Sequence, residues 1–160
     1  MIDHIYTERL ALDALDQFDI TDPVVDALKI AKGVGVAVEE IPMAGKLSNV
    51  AGFYDGKKKI IYLNKDDTPV RKQFSLAHEL GHIFLQHKNY DALFRIPHKE
   101  ALYSKEESEA NSFAAKLLMP DFMIKEYLQK YNLTKGDYST MAKIFGVPKS
   151  AMKHTLEHLH

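Results

Sequence analysis

The sequence predicts an α+β domain in which helices, three short strands and further helices follow one another. Two observations carry that prediction. Apolar residues recur at helical spacing near the N-terminus and again from Thr68 onward. Between them, the segment from Val34 to Asn64 alternates as half-buried strands do and contains an Asp-Gly turn. No repeat and no low-complexity linker interrupts the order.

Taken in order, Tyr6 to Phe18 is expected to be helical through Leu10, Ala14, Leu15 and Phe18. A second helix is expected from Pro23, with Asp22 as N-cap, to Gly33. VGVAVEEI then alternates, with Val34, Val36 and Val38 on one strand face. VAGFYDGKKKIIYLN reads as a β-hairpin turning at Asp55-Gly56. Thr68-Pro69 starts a helix expected to reach about His87. After a polar loop, KNYDALFRIPHKEALY, Ser104 is expected to open the next helix through a capping box with Glu107. Pro120 restarts a helix over DFMIKEYLQKY, and TMAKIFGVPKSAMKHTLEHLH reads as two short helices separated by Gly146-Val147-Pro148. Residues 1–131 are read as the main domain and 132–160 as a helical segment packed on it.

Composition narrows the chemistry. At 160 residues, with 46% apolar and 27% charged residues, the chain can bury one core. A net charge of −1 gives no global attraction to nucleic acid or anionic membrane. The acidic N-terminal stretch is unlike a secretion signal, and no apolar run is long enough for a membrane span. The absence of cysteine removes disulfides, thiolate nucleophiles and Cys-type zinc sites, and fits a reducing cytoplasm. Any metal must be held by the eight histidines and by carboxylates.

FSLAHELGHIFLQH offers such a site. Four residues advance a helix by about 400°, so His78 and His82 lie one turn apart on nearly the same face and can reach one ion. Glu79 lies roughly 100° around from His78, where a general base for an activated water belongs. Gly81 costs a helix interior about 1 kcal/mol relative to alanine, which a closely packed neighbouring helix would explain. That neighbour, SKEESEANSFAAKLLMP, carries Glu106, Glu107 and Glu109. Glu107 aligns with Ala110, Ala114 and Leu118, whose small members permit close approach to Gly81, so it is best placed as third ligand. On the same wheel Glu109 projects toward the polar edge and Glu106 toward Phe113 and Leu117. The bland reading of Glu107 is a capping-box residue and no more. Asn111, one turn beyond it, could accept the second ring N–H of a ligating histidine and hold its tautomer.

FSLAHELGH together with E-x-x-A-N-x-F-A-A-x-L-L-M-P resembles the ImmA/IrrE family of regulatory zinc metallopeptidases, over roughly Asp22 to Met152. The hairpin and the RKQF leading into the helix also fit. The resemblance implies a zincin-like core with His78, His82 and Glu107 as zinc ligands and Glu79 as base. It places Asn111 where similar gluzincins carry a second acid. It further implies a short form, like those of phages and integrative elements, without an appended sensor-like or a preceding DNA-binding domain. Its implied substrate is a helix-turn-helix repressor, cut to release gene expression.

Three ligands leave a fourth position open, the arrangement of a catalytic rather than a structural zinc. Mn²⁺ and Fe²⁺ suit the same donors. Tyr103, His98, Tyr90 and His87 are alternatives for a second oxyanion donor. The hairpin around Val50–Leu63 is expected to border the cleft, so that an extended substrate can pair with it. The C-terminal segment resembles a helix-turn-helix but lacks a basic stripe, so a protein-docking role is favoured over direct DNA binding. His154, His158 and His160 are read as exposed and not as ligands. The alternative to a peptidase is a metal-containing regulator that sequesters a repressor without cutting it.

Overall fold

The computed structural model describes residues 3–87 and 100–160, except the side chains of Lys46 and of residues 100–104. Its α+β order is α1 (His4–Gln17), α2 (Ala27–Gly33), β1 (Ala37–Ile41), a 3-10 turn at Gly45–Leu47, β2 (Gly52–Asp55), β3 (Ile60–Asn64), α3 (Pro69–Phe84), α4 (Glu100–Leu118), α5 (Asp121–Lys130), α6 (Tyr138–Phe145) and α7 (Lys149–Glu157).

The sheet is mixed, in the order β1-β3-β2, with β1 parallel and β2 antiparallel to β3. β3 takes the centre because it is the most apolar strand: Ile61 and Leu63 are buried on the face that packs on α3. On the other face Tyr62 stacks on Phe53 across the hairpin, with ring centroids 5.0 Å apart. Asp55 begins the hairpin turn as expected, its carboxylate accepting from the N–H groups of Lys57 and Lys58. Among the described residues β2 is at an edge of the sheet.

Where the termini differ from expectation, local competition explains the difference. α1 begins at His4 because Asp3 caps it, its carboxylate accepting from the Tyr6 N–H. α2 begins at Ala27 rather than Pro23, since Asp26, not Asp22, supplies the cap to Lys29 N–H. Val34 is the C-cap of α2 and half-exposed, so only Val36 and Val38 of the proposed strand face pack inward. Thr68 caps α3 and Pro69 fills its first turn, as expected. α4 starts at Glu100, which places Ser104 inside the helix and removes the capping box proposed for Glu107.

α3 ends at Phe84, three residues before His87. Gln86 adopts φ +58°, and the N–H groups of Gln86 and His87 return to the carbonyls of Ile83 and His82. This is a Schellman motif with glutamine in the left-handed position that glycine usually occupies. It folds His87 back over the last turn of α3.

Helix α4 runs through the middle of the molecule, packed on α3 along one side and on α1 along another. Phe113, Ala114, Leu117 and Leu118 are wholly or almost wholly buried there. Lys116 pairs with Glu8 of α1 and with Asp121 at the start of α5. Burial alone would lower the Lys116 pKa, but the Glu8 hydrogen bond and the charges of Asp121 and Glu8 outweigh it and raise the pKa. Met141, Phe145, Met152 and Leu156 of α6 and α7 join the same buried cluster as Met119, Met123 and Ile124. Gly146 makes the α6–α7 turn at φ +65°. No helix among the described residues is long and apolar enough to cross a membrane.

The α3–α4 contact is closest at Gly81. A β-carbon built there would lie 3.0 Å from both the Cα and the carbonyl oxygen of Ala110, and 3.2 Å from Cβ of Phe113. The Gly81→Ala variant is therefore expected to lose about 1–2 kcal/mol of stability, because the overpacking cost exceeds the gain in helix propensity. Chemical denaturation with the metal-free protein checks this; an unchanged or raised midpoint would contradict the close packing.

Candidate metal centre

Two helices build the centre. α3 projects His78 and His82 from successive turns, and the Gly81–Ala110 contact holds α4 close enough for Glu107 to meet both rings. Glu107 Oε2 lies 2.9 Å from His78 Nε2, and Oε1 lies 2.9 Å from His82 Nε2. The two Nε2 atoms are 3.2 Å apart. Ligands about 2.0 Å from a tetrahedral ion stand roughly 3.3 Å from one another, so the triangle has the dimensions of a coordination face. Among the described residues, this is the group of three whose ligand atoms converge within 4.8 Å.

The donor chemistry also fits a cation. His78 Nδ1–H donates to Asn111 Oδ1 at 2.7 Å, the contact expected for Asn111, so in the neutral ring Nε2 keeps its lone pair. His82 Nδ1 faces His87 Nδ1 at 2.9 Å, and its Nε2 points to Glu107 Oε1 and His78 Nε2. Two ring nitrogens and a carboxylate thus converge inside the protein, and a cation placed among them would be held by all three. His82 is wholly buried, whereas the side chains of His78 and Glu107 retain 13% and 22% exposure, so the open side lies toward the latter two.

Glu79 is buried and belongs to the ligand helix without being one of the three converging residues. His87, one of the alternatives for an oxyanion donor, is buried with both ring nitrogens engaged, one by His82 and one by Glu109. It therefore has no N–H to offer a substrate. Tyr90, His98 and the Tyr103 side chain lie outside the described residues. Glu109 departs from the wheel reading: its carboxylate, only 14% exposed, accepts from His87 Nε2–H at 3.1 Å. The signal for that contact was the turn chemistry after Phe84, which brings His87 back toward α4, and a helical wheel does not contain it. His154, His158 and His160 are exposed, as expected.

A cleft of about 1390 Å³ reaches Asn111, the residue that holds His78, but the three converging residues do not line it. Val50 and Ala51 before the edge strand, Phe74 and Ser75 on α3, and Asn111 on α4 line one part of it. α7 contributes another wall through residues that include His154.

Comparison with known proteins agrees with this architecture. The chain is 34% identical over 101 residues to "Uncharacterized immunity region protein 2" of Bacillus phage phi105, covering 62% of this chain and 61% of that protein. It is 30% identical over 139 residues to the radiation response metalloprotease IrrE of Deinococcus radiodurans, covering 84% of this chain and 40% of that one. It is 32% identical over 91 residues to the metallopeptidase ImmA of Bacillus subtilis, covering 55% and 50% respectively. The chain thus spans between two-fifths and about three-fifths of these relatives' lengths. A Mycobacterium tuberculosis transcriptional regulator shares the fold at a TM-score of 0.68 and 13% identity, over 94% of this chain and 46% of that chain. Residues 31–157 match the IrrE N-terminal-like domain, and the chain belongs to that family of peptidases.

Proposed function

We propose that this protein is a zinc-dependent endopeptidase that cleaves a helix-turn-helix repressor in the cytoplasm and so releases genes of a phage or mobile element. The observation that carries the peptidase reading is the convergence of His78, His82 and Glu107, with the buried Glu79 on the same helix as the histidines. The names of the relatives support the rest: two metallopeptidases and a phage immunity-region protein. In this reading His78, His82 and Glu107 hold the ion, and Asn111 fixes the His78 ring. The N/O donor set also accommodates Mn²⁺ or Fe²⁺.

A zinc ion held there supplies Lewis acidity, lowering the pKa of water toward neutrality and polarising a peptide carbonyl. The Glu79 carboxylate takes a proton from the attacking water and delivers it to the departing amine nitrogen. An extended peptide lying in the cleft runs beside β2, whose approach residues Val50 and Ala51 line it. Residues 132–160 act as a docking segment for the protein substrate, while residues 1–131 carry the chemistry. Lys149 and Lys153, both over the Tyr138 ring, form its charged surface.

Metal content tests the ligand set. His78→Ala, His82→Ala and Glu107→Ala should each lose stoichiometric zinc by elemental analysis, while Glu106→Ala keeps it. Retention of a full equivalent by Glu107→Ala would remove that residue from the ligand set.

Glu79→Gln separates cutting from sequestering. Co-expressed with candidate repressors, the variant should keep zinc and fold but lose cleavage by about 10²–10⁴-fold, since an amide cannot accept the proton. Derepression that persists undiminished without any fragment would favour the sequestering alternative.

The tail yields a further expectation. The protein should show no salt-sensitive duplex binding, because α6 and α7 carry no dense basic stripe. Reversing Lys149 and Lys153 to glutamate should weaken repressor cleavage while leaving zinc content intact. A gel shift at moderate salt that reveals tight duplex binding, abolished in the double variant, would overturn the docking role.

A further inference from the structure

The ring of His82 is wholly buried, so its Nδ1 can be satisfied only by the protein. Its partner is another imidazole, His87, which the Schellman turn at Leu85–Gln86 folds back onto the last turn of α3. In that motif the residue two beyond the C-cap sits against the residue three before it, usually as an apolar contact. Here those two positions are His87 and His82, and the contact is polar.

With a cation bound at His82 Nε2, the protons along this row have one consistent order. Glu109 Oε1 can only accept when ionised, so His87 Nε2 carries the hydrogen of the 3.1 Å bond. His87 Nδ1 is then a lone pair and accepts from His82 Nδ1–H at 2.9 Å. The hydrogen of His82 then sits on Nδ1, and its Nε2 points to Glu107 and His78.

We propose that His87 and Glu109 are positioning residues: together they hold His82 in the tautomer and orientation that present Nε2 to the metal. The inference rests on reading His78, His82 and Glu107 as a metal centre. The two histidines are held differently. His78 is fixed by a neutral amide on α4, and His82 by a row that ends in a carboxylate. The carboxylate strengthens both bonds of that row, because charge-assisted hydrogen bonds polarise their neighbours. Reversing the row would place a proton on His82 Nε2 and block the ligand position. The burial of Glu109 in the helix interface thereby acquires a reason, since a carboxylate there requires a donor.

The test reads both the tautomer and the affinity. In the zinc-loaded protein labelled with ¹⁵N-histidine, long-range proton–nitrogen spectra should show His82 protonated at Nδ1 and His87 protonated at Nε2. Zinc affinity is measured by competition with a chelator, for wild type, His87→Leu, His87→Asn, Glu109→Leu and Glu109→Gln, each checked for fold by circular dichroism. His87→Leu removes the acceptor and should weaken zinc binding by about 10–100-fold. His87→Asn returns an oxygen near the former Nδ1 and should recover most of that loss. Glu109→Gln, which can still accept from His87, should lose less than Glu109→Leu; the Glu109 pair carries the test if His87→Leu does not fold. Wild-type His87 protonated at Nδ1 instead of Nε2, or a folded His87→Leu with wild-type affinity, would overturn the positioning role while leaving the metal centre standing. Failure of the wild type to bind zinc at all would overturn the metal centre and the positioning role together.

Discussion

The separation of α3 and α4 is the constraint on which the site depends. Glu107 reaches both histidine rings because nothing larger than hydrogen stands between Gly81 and the backbone of Ala110. The intrinsic cost of glycine in a helix, about 1 kcal/mol, is accepted at this position in exchange for that approach. A side chain at Gly81 would push on Ala110 backbone atoms, which cannot rotate away, and would displace the turn of α4 that carries Glu107 and Glu109. The same helix pair also carries Asn111 and, through the turn after Phe84, His87. Fold stability and site geometry therefore meet in a single contact.

Much of this was legible in the sequence, because the signals were local. Thr68-Pro69, Pro120 and Gly146-Val147-Pro148 each mark a helix boundary through chemistry contained in a few residues, and each boundary lies where they indicate. The His78/His82 spacing and the wheel position of Glu107 also depend only on helix geometry, and the three side chains do converge. What was misread involved choices between equivalent local signals. Two aspartates compete to cap α2, and Asp22 lost to Asp26. Ser104 has the form of a cap but lies inside a helix that starts earlier. The contact between Glu109 and His87 was invisible for a different reason. It depends on Gln86 adopting a left-handed conformation, which side-chain periodicity does not report.

The arrangement of the cleft links the chemistry to the tail. The cleft is lined at one part by the approach to β2 and by residues of α3 and α4, and at another by α7. A substrate segment lying along it would meet main-chain partners on the strand side and side chains of the tail on the other. In the proposed function, reaction and recognition would then be divided between two parts of one groove.

The most direct test of the account is anomalous diffraction at the zinc edge from crystals of the zinc-loaded protein. The account predicts one strong peak about 2.0 Å from His78 Nε2 and His82 Nε2 and about 2.0–2.2 Å from a Glu107 oxygen. His87 and Glu109 should stand behind His82 without touching the ion. A peak ligated by Glu109 or His87, or one seated instead on His154 and His158, would contradict it.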